Sequence, residues 1–361
     1  MHPRHLTIST PGRICLFGEH QDYLGLPVIA AAISRRLAIK GTVRKDNRMV
    51  LKLPDVGSEV SFGLNGMLAY SMERDYFRSC VNVLQRHGHR FSRGYDCTVH
   101  GDIPINAGTS SSSALVVSWL HFLSFISDDP VPFSHEEIGK LAYEAEVLEF
   151  SEPGGMMDQY STALGGLIFL ESDPKIRIDT LKATLGTFVL GNSHQTKDTK
   201  SILARVRGEV SDAAAATRRI NPAFSFHTTH LDELREVKQR IERRQFALLE
   251  ATIVNRDLTR EARDLLHVKS LDHSRIGELL NEHQVRLRDV LGVSTPKIDS
   301  MIERALEAGA LGAKINGSGG GGCMFAYAPE NVEKVAEAVG KLGEALIITI
   351  DEGTRRERGH E

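Results

Sequence analysis

The stretch Gly101-Asp102-Ile103-Pro104-Ile105-Asn106-Ala107-Gly108-Thr109-Ser110-Ser111-Ser112-Ser113-Ala114 runs without a break into the apolar Leu115-Val116-Val117-Ser118-Trp119-Leu120. A Pro- and Gly-punctuated loop carrying five consecutive hydroxyls thus opens directly onto a helix-like apolar run. Free backbone N–H groups, serine hydroxyls and the positive end of a helix converge on one spot. That combination suits an anion, a phosphate above all. The same residues also suit plain N-capping of a core helix, because Ser is a favoured cap. This segment alone does not separate the two.

Upstream, Leu6 to Thr10 reads as a short strand ended by Pro11-Gly12, and Arg13 to Gly18 as a second, almost continuously apolar strand. It leads into Glu19-His20-Gln21-Asp22-Tyr23-Leu24-Gly25. Glu19, His20 and Asp22 put three hydroxyl-binding groups in a loop past a buried strand, a pattern that fits a polyol. It also fits an ordinary solvated loop, since charged residues are mostly exposed. Pro27 to Ile33 resumes as an apolar segment, and Leu37 to Val43 and Met49 to Leu53 read as strands. Helical spacing covers Met72 to His87, and the Gly-containing stop His87-Gly88-His89 explains that His pair better than a metal does. Tyr95 to His100 alternates as a strand and delivers the chain to the hydroxyl loop.

Beyond that loop, Ser134 and Glu137 form a capping-box pattern on a helix predicted over Ser134 to Glu149. Ser151-Glu152-Pro153-Gly154-Gly155-Met156-Met157-Asp158-Gln159-Tyr160 then brings an acid in at the start of a helix, Asp158 to about Leu164, whose positive end favours the charged carboxylate. Simple N-capping is the alternative use of that Asp. Leu167 to Glu171 is a strand, and a strand over Lys182 to Leu190 begins a second lobe. Thr229 to Ala262 is helix-rich, with Arg240, Arg243 and Arg244 on a solvated face. His227 and His230 have a zinc-like spacing but no further ligand to complete a site. Arg275 to Leu291 is amphipathic, and the next helix starts at Thr295-Pro296 and ends at Gly309.

Gly312 to Tyr327 reads as strand, turn and strand, with six glycines inside it. Glycines weaken a plain hairpin, so close backbone approach to something bulky is expected there. Val332 to Leu342 is helical, Ala345 to Ile350 is a last strand, and the charged tail from Arg355 is expected to fray.

A formal charge of −3 and a pI near 6.6 supply no general field for nucleic acid or an anionic membrane, so the expected partner is small. Cys15, Cys80, Cys97 and Cys323 show no CxxC pairing, the first residues lack a basic-then-apolar leader pattern, and no apolar run approaches membrane-span length. A cytoplasmic location with reduced thiols is expected.

Taken together and in order, Pro11 to Gly25, Pro104 to Ala114, Gly155 to Gln159 and Gly312 to Cys323 resemble the motifs of the GHMP kinase family. The resemblance implies an α+β, two-lobed fold: a ribosomal-S5-like N-terminal lobe with a left-handed βαβ unit over residues 1–185, and a ferredoxin-like C-terminal lobe over 186–361. It implies an ATP-dependent small-molecule kinase. Glu19-His20-Gln21-Asp22-Tyr23 and Gly155-Met156-Met157-Asp158-Gln159 are similar to galactokinase, which phosphorylates a free sugar at its anomeric hydroxyl. The unbroken Gly319 to Gly322 run and Lys197-Asp198-Thr199-Lys200 are closer to mevalonate kinase, the alternative. A catalytically inactive sugar sensor is a third possibility, argued against by the retained Arg13, Glu146 and Asp158. Asn316 stands where the family usually has Ser or Thr, Thr109 where it has Leu, and no Tyr stands near Ala204 to contact a sugar.

By the same resemblance, Gly108, Thr109, Ser110, Ser111, Ser112, Ser113, Gly317, Gly319 and Gly320 bind ATP, and Ser111, Ser112 and Glu146 ligate Mg²⁺. Asp158 accepts the acceptor proton and Arg13 stabilises the transferring charge. Glu19, His20, Asp22 and Gly155 hold the sugar. The implied partners are ATP and a sugar, with the chain a monomer or homodimer.

Overall fold

In the computed structural model, which describes residues 2–268 and 270–357, the two strands expected on either side of Pro11-Gly12 are one, β1 (His5–Phe17). Its register against β2 (Val28–Val43) shifts between Pro11 and Arg13, so an irregularity in the ladder absorbs the residue that cannot donate. A Cβ on Gly12 would sit 2.8 Å from the Thr109 carbonyl oxygen, so glycine lets the hydroxyl loop rest directly on β1. β2 likewise fuses the Pro27 to Ile33 and Leu37 to Val43 segments.

The chain continues through β3 (Arg48–Leu53), β4 (Ser58–Gly63), α1 (Tyr76–Arg86), β5 (Tyr95–Gly101), α2 (Ser111–Ile126), α3 (His135–Tyr143), α4 (Met157–Leu164), β6 (Leu167–Glu171) and β7 (Arg177–Leu181). The capping box on α3 forms as the sequence indicates, but the helix widens into a π turn at Glu144–Leu148 instead of running on as α-helix. β7 was not anticipated. α2 is apolar on almost every side because it is enclosed: Val116, Trp119, Leu120 and Phe122 have no exposed surface.

The second half comprises β8 (Thr187–Asn192), α5 (Thr199–Ile220), α6 (Arg235–Lys238), α7 (Arg243–His267), α8 (His273–Asp289), α9 (Pro296–Glu307), β9 (Gly312–Ile315), β10 (Cys323–Tyr327), α10 (Val332–Gly340), β11 (Glu344–Thr349) and β12 (Arg355–Arg356). β8 starts later than Lys182, and α5 is a long helix the sequence reading passed over. Thr295 caps α9 by accepting from the Ile298 N–H, with Pro296 in the first turn.

Two sheets result. The larger has the order β12-β1-β2-β5-β3-β4, with β6 on β2 and β7 on β6; the smaller is β11-β8-β10-β9, with every pairing antiparallel. β3 and β5 pair in parallel. The charged tail does not fray at Arg355: Arg355 and Arg356 pair with Ser9 and Ile8, so the end of the second half belongs to the first sheet. Residues 358–361 lie outside the described residues. The halves share a core in which Ile14, Phe17 and Ile29 from the first sheet meet Phe188, Leu190 and Phe325 from the second. Each such side chain contributes roughly 1.5–3 kcal/mol on burial, enough in sum to hold a cleft between the sheets in fixed geometry. No helix among the described residues is long and apolar enough to cross a membrane.

Candidate active site

The motif residues scattered along the sequence face one cavity of about 390 Å³, lined among others by Arg13, Ser111, Glu146, Asp158, Lys197 and Gly317.

On its floor is the hydroxyl loop. Asn106, Gly108 and Ser110 all have left-handed backbones, with φ of 56°, 89° and 59°. Non-glycine residues in that region cost about 1–2 kcal/mol each, so the packing around the loop must impose the turn. Ser110 occupies the N-cap position of α2 yet makes no side-chain cap bond, and its buried hydroxyl has no partner. The plain-cap alternative requires that bond. Its absence leaves the first turn of α2 without that cap, and Ser110 to Ser113 line the cavity, an arrangement that suits an anion. Thr109 does not reach the cavity wall. Its hydroxyl donates to Pro104 O at 3.1 Å and its carbonyl accepts from Arg13 N at 3.1 Å, which places it behind the loop.

The glycine hairpin between β9 and β10 does approach something bulky, and that something is the hydroxyl loop itself. A Cβ on Gly317 would lie 2.8 Å from Gly108 O, and one on Gly322 2.6 Å from Ala107 O. Cys323 N donates to Ala107 O at 2.8 Å. Asn316 clamps three segments together: Nδ2 donates to Gly108 O at 2.8 Å and Oδ1 accepts from Cys15 N at 2.9 Å. Gly317 faces the cavity. Gly319 and Gly320 do not: added Cβ atoms would meet Val293 O at 2.4 Å and Ile202 Cδ1 at 2.3 Å, so these glycines answer to protein packing.

Asp158 is not a cap. Met156 holds the N-cap position of α4, and the Asp158 carboxylate turns to Arg13, with Nε at 2.8 Å and Nη2 at 2.7 Å. Burial works against the Arg13 charge, but the neighbouring acidic groups, Asp158 foremost, together outweigh it and hold the guanidinium pKa above its ordinary value. Arg13 also donates to Gly108 O, linking this pair to the hydroxyl loop.

Glu146 lies on the π turn and is buried. Burial raises its pKa, opposed by Gln159 and by the hydroxyls of Ser113 and Ser112. Gln159 Nε2 donates to Glu146 Oε2 at 2.6 Å, while Gln159 Oε1 is buried without a partner. The Glu146 carboxylate and the hydroxyls of Ser112 and Ser113 form a hard-oxygen set of the kind Mg²⁺ prefers. Ser111 lines the same cavity, but the hydroxyls facing Glu146 are those of Ser112 and Ser113.

At the opposite end, Asp22 accepts from Tyr23 N at 2.9 Å and packs so tightly on Gly155 that a Cβ there would come within 2.3 Å of Asp22 Oδ2. Burial, then the neighbouring Asp158 charge, pushes the Asp22 pKa up to about 6. Glu19 and His20 line the cavity but are already engaged. Glu19 meets the fully buried Lys314 and accepts from Gly317 N at 3.3 Å. His20 bonds Tyr23 Oη and Ser318 O, each at 3.0 Å, and burial lowers its pKa to about 4. Both therefore help fix the cavity wall that they line.

Two lysines escaped the sequence reading as site residues. Lys314 ties β9 to Cys15 O at 3.0 Å and to Glu19. Lys197 reaches between the loop and the hairpin: Nζ bonds Ser318 Oγ at 3.1 Å and lies 2.8 Å from where a Gly108 Cβ would be. Burial, then the Arg13 charge, lowers its pKa to about 8. His227 Nε2 lies 3.2 Å from Asp173, and no cluster of three or more His, Cys, Asp or Glu suited to a metal exists among the described residues. The four cysteines are free and buried.

Residues 75–166 match the model of the GHMP kinases N terminal domain, residues 262–345 that of the GHMP kinases C terminal region, and residues 2–42 the galactokinase galactose-binding signature. The mevalonate kinase of Thermococcus gammatolerans is 30% identical over 350 residues, covering 94% of both chains. The chain belongs to the GHMP kinase family. The galactokinase of Actinobacillus succinogenes is 29% identical over 345 residues, 90% of this chain and 86% of the relative. The structure of Lactococcus lactis galactokinase complexed with galactose has the same fold, with a TM-score of 0.84 at 24% identity over 97% of this chain and 95% of that one. As a GHMP kinase, the protein is an ATP-dependent phosphotransferase acting on a small molecule.

Proposed function

We propose that this GHMP kinase phosphorylates a free sugar at its anomeric hydroxyl. The observation that carries the reading is that Asp22 and Asp158 line one cavity as neighbours: a backbone-pinned carboxylate that can accept from sugar hydroxyls beside a carboxylate that can accept the reacting proton. The galactose-binding signature over residues 2–42 supports it.

In this reading, the first-turn N–H groups of α2 and the hydroxyls of Ser110 to Ser113 hold the phosphates of ATP. Glu146, Ser112 and Ser113 hold Mg²⁺, which neutralises phosphate charge when bound. Arg13 and Lys197 flank Gly108 from two sides and stabilise charge on the transferring group. Asp158 Oδ2 takes the acceptor proton while Arg13 holds Oδ1 and fixes the carboxylate's direction. Asp22 orients the sugar, and positioning supplies most of the rate. The proposed lobes divide between residues 185 and 186, with Arg355–Arg356 joining the first.

Mevalonate is the second reading, favoured by full-length relatives of that name and by the unbroken glycine run. Initial rates of ADP release with a panel of free sugars and with mevalonate test the proposal. Turnover of mevalonate alone overturns it.

A further inference from the structure

The acceptor end of the cavity does not close behind Asp22. A second chamber of about 340 Å³ shares Asp22, Tyr23, Gly154 and Gly155 with the first and is walled further out by Tyr143 and Arg207. One face of α5 runs along both chambers: Thr199 and Leu203 line the first and Arg207 the second. Residues four apart stack on one side of a helix, so the three form a single stripe, and eight residues of rise carry it about 12 Å.

Arg207 ends that stripe as a cation without a counter-ion. Among the described residues no carboxylate lies within salt-bridge distance of it, whereas Arg205, on the same helix, pairs with Glu209 at 3.3 Å. Among the described residues its one side-chain hydrogen bond is long, from Nη1 to Pro153 O at 3.4 Å, and its guanidinium lies over the Tyr23 ring at 5.9 Å. The acids nearby are committed elsewhere. Glu152 takes two bonds from Arg74, at 2.7 and 2.8 Å, and Asp22 takes the Tyr23 N–H. An exposed arginine on a helix is ordinarily a solvated one. This one differs in standing, unpaired, at the mouth of a tyrosine-walled chamber continuous with the acceptor site, where a planar guanidinium suits a carboxylate or phosphate.

We propose that the second chamber extends the acceptor site and takes an acidic substituent on the sugar, remote from the hydroxyl that faces Asp158, with Arg207 as its counter-ion. The proposal rests on the sugar-kinase reading above.

The test compares kcat/KM for galactose, glucose and mannose with the corresponding uronic acids and 6-phosphates, which separates a carboxylate from a phosphate ligand. At least one acidic form is expected to exceed its neutral parent about tenfold, as a charge-assisted hydrogen bond provides. Arg207→Ala should bring that ratio close to one. Gly154→Leu should do the same from the other wall, because a Cβ at Gly154 meets nothing within 4 Å and a longer side chain can fill the opening. Thermal unfolding of both variants checks that they remain folded. Neutral sugars turned over as well as or better than every acid, or an acid preference that survives both substitutions, overturns the proposal while leaving the sugar kinase standing. Turnover of mevalonate with no sugar of either kind removes both.

Discussion

Arg13 and Asp158, 145 residues apart, meet through a single carboxylate oxygen: Nε and Nη2 both point at Oδ1, at 2.8 and 2.7 Å. Among the described residues Oδ2 has no hydrogen-bond partner, so one oxygen is held and the other is offered to the cavity. Asp158→Asn is expected to lower kcat by about 10²–10⁴-fold, the range for loss of a general base. ATP affinity, measured by calorimetry, should stay within about twofold, and undiminished turnover in that variant would take Asp158 out of the chemistry.

Two perturbed groups that line the cavity should set the pH profile. Asp22, pushed up to about 6, must be ionised to accept from sugar hydroxyls, so kcat/KM for the acceptor should fall as pH drops below about 6. Lys197, lowered to about 8, must be protonated to meet phosphate, so activity should fall above about 8. The expected profile is bell-shaped. Asp22→Asn should abolish the acid limb, and Lys197→Arg should move the alkaline limb to higher pH. Limbs unchanged by either substitution would assign them to other groups.

Asp22 also links function to stability. Its folded pKa lies above the ordinary 3.8, so the folded state binds the proton more tightly and stability declines as pH rises from about 4 to about 6. At pH 7 the neutral Asp22→Asn protein should therefore have a higher urea midpoint than the parent while binding its acceptor more weakly. A lower midpoint would contradict the burial argument.

Local signals in the sequence located most elements near this site. The Ser110 to Ser113 helix start, the Ser134 and Glu137 box, the Thr295-Pro296 start and the Gly312 to Tyr327 hairpin all follow from capping and turn chemistry within a few residues. Long-range relations were not legible. Nothing local tells that Glu19 and His20 spend their polar atoms on Lys314, Tyr23 and Ser318, or that Gly319 and Gly320 answer to Val293 and Ile202. α5 was missed because its buried side is made largely of small or polar residues, Ala213, Ala214 and Thr217 beside Val206 and Val210, and shows little contrast. β1 was cut in two because Pro11-Gly12 reads as a turn, whereas pairing along β2 carries the strand through it.

Glu19 and Lys314 form a fully enclosed ion pair that joins the loop after β1 to β9. Lys314→Met leaves the Glu19 charge buried and uncompensated, and removing one partner of such a pair typically costs about 3–5 kcal/mol. Urea denaturation should show that loss, and adding Glu19→Gln should recover much of it. A single variant as stable as the parent would mean that the pair is not required for folding.

Gln159 holds Glu146 by its amide nitrogen, which obliges its oxygen to face away from the carboxylate. Gln159→Leu is expected to weaken metal binding about 10–100-fold, the usual effect of losing a group that orients a ligand. Mn²⁺ binding followed by electron paramagnetic resonance in the presence of ADP reads this without turnover. Unaltered Mn²⁺ affinity would show that Glu146 needs no such support.

β12 has a consequence for how the protein is made. Ribosomal synthesis delivers β1 long before its edge partner, Arg355–Arg356. The sheet beneath the hydroxyl loop therefore waits for that later segment before its border is complete, and a nascent polypeptide stopped short of residue 355 leaves Ile8 and Ser9 as an open edge to which other chains can add.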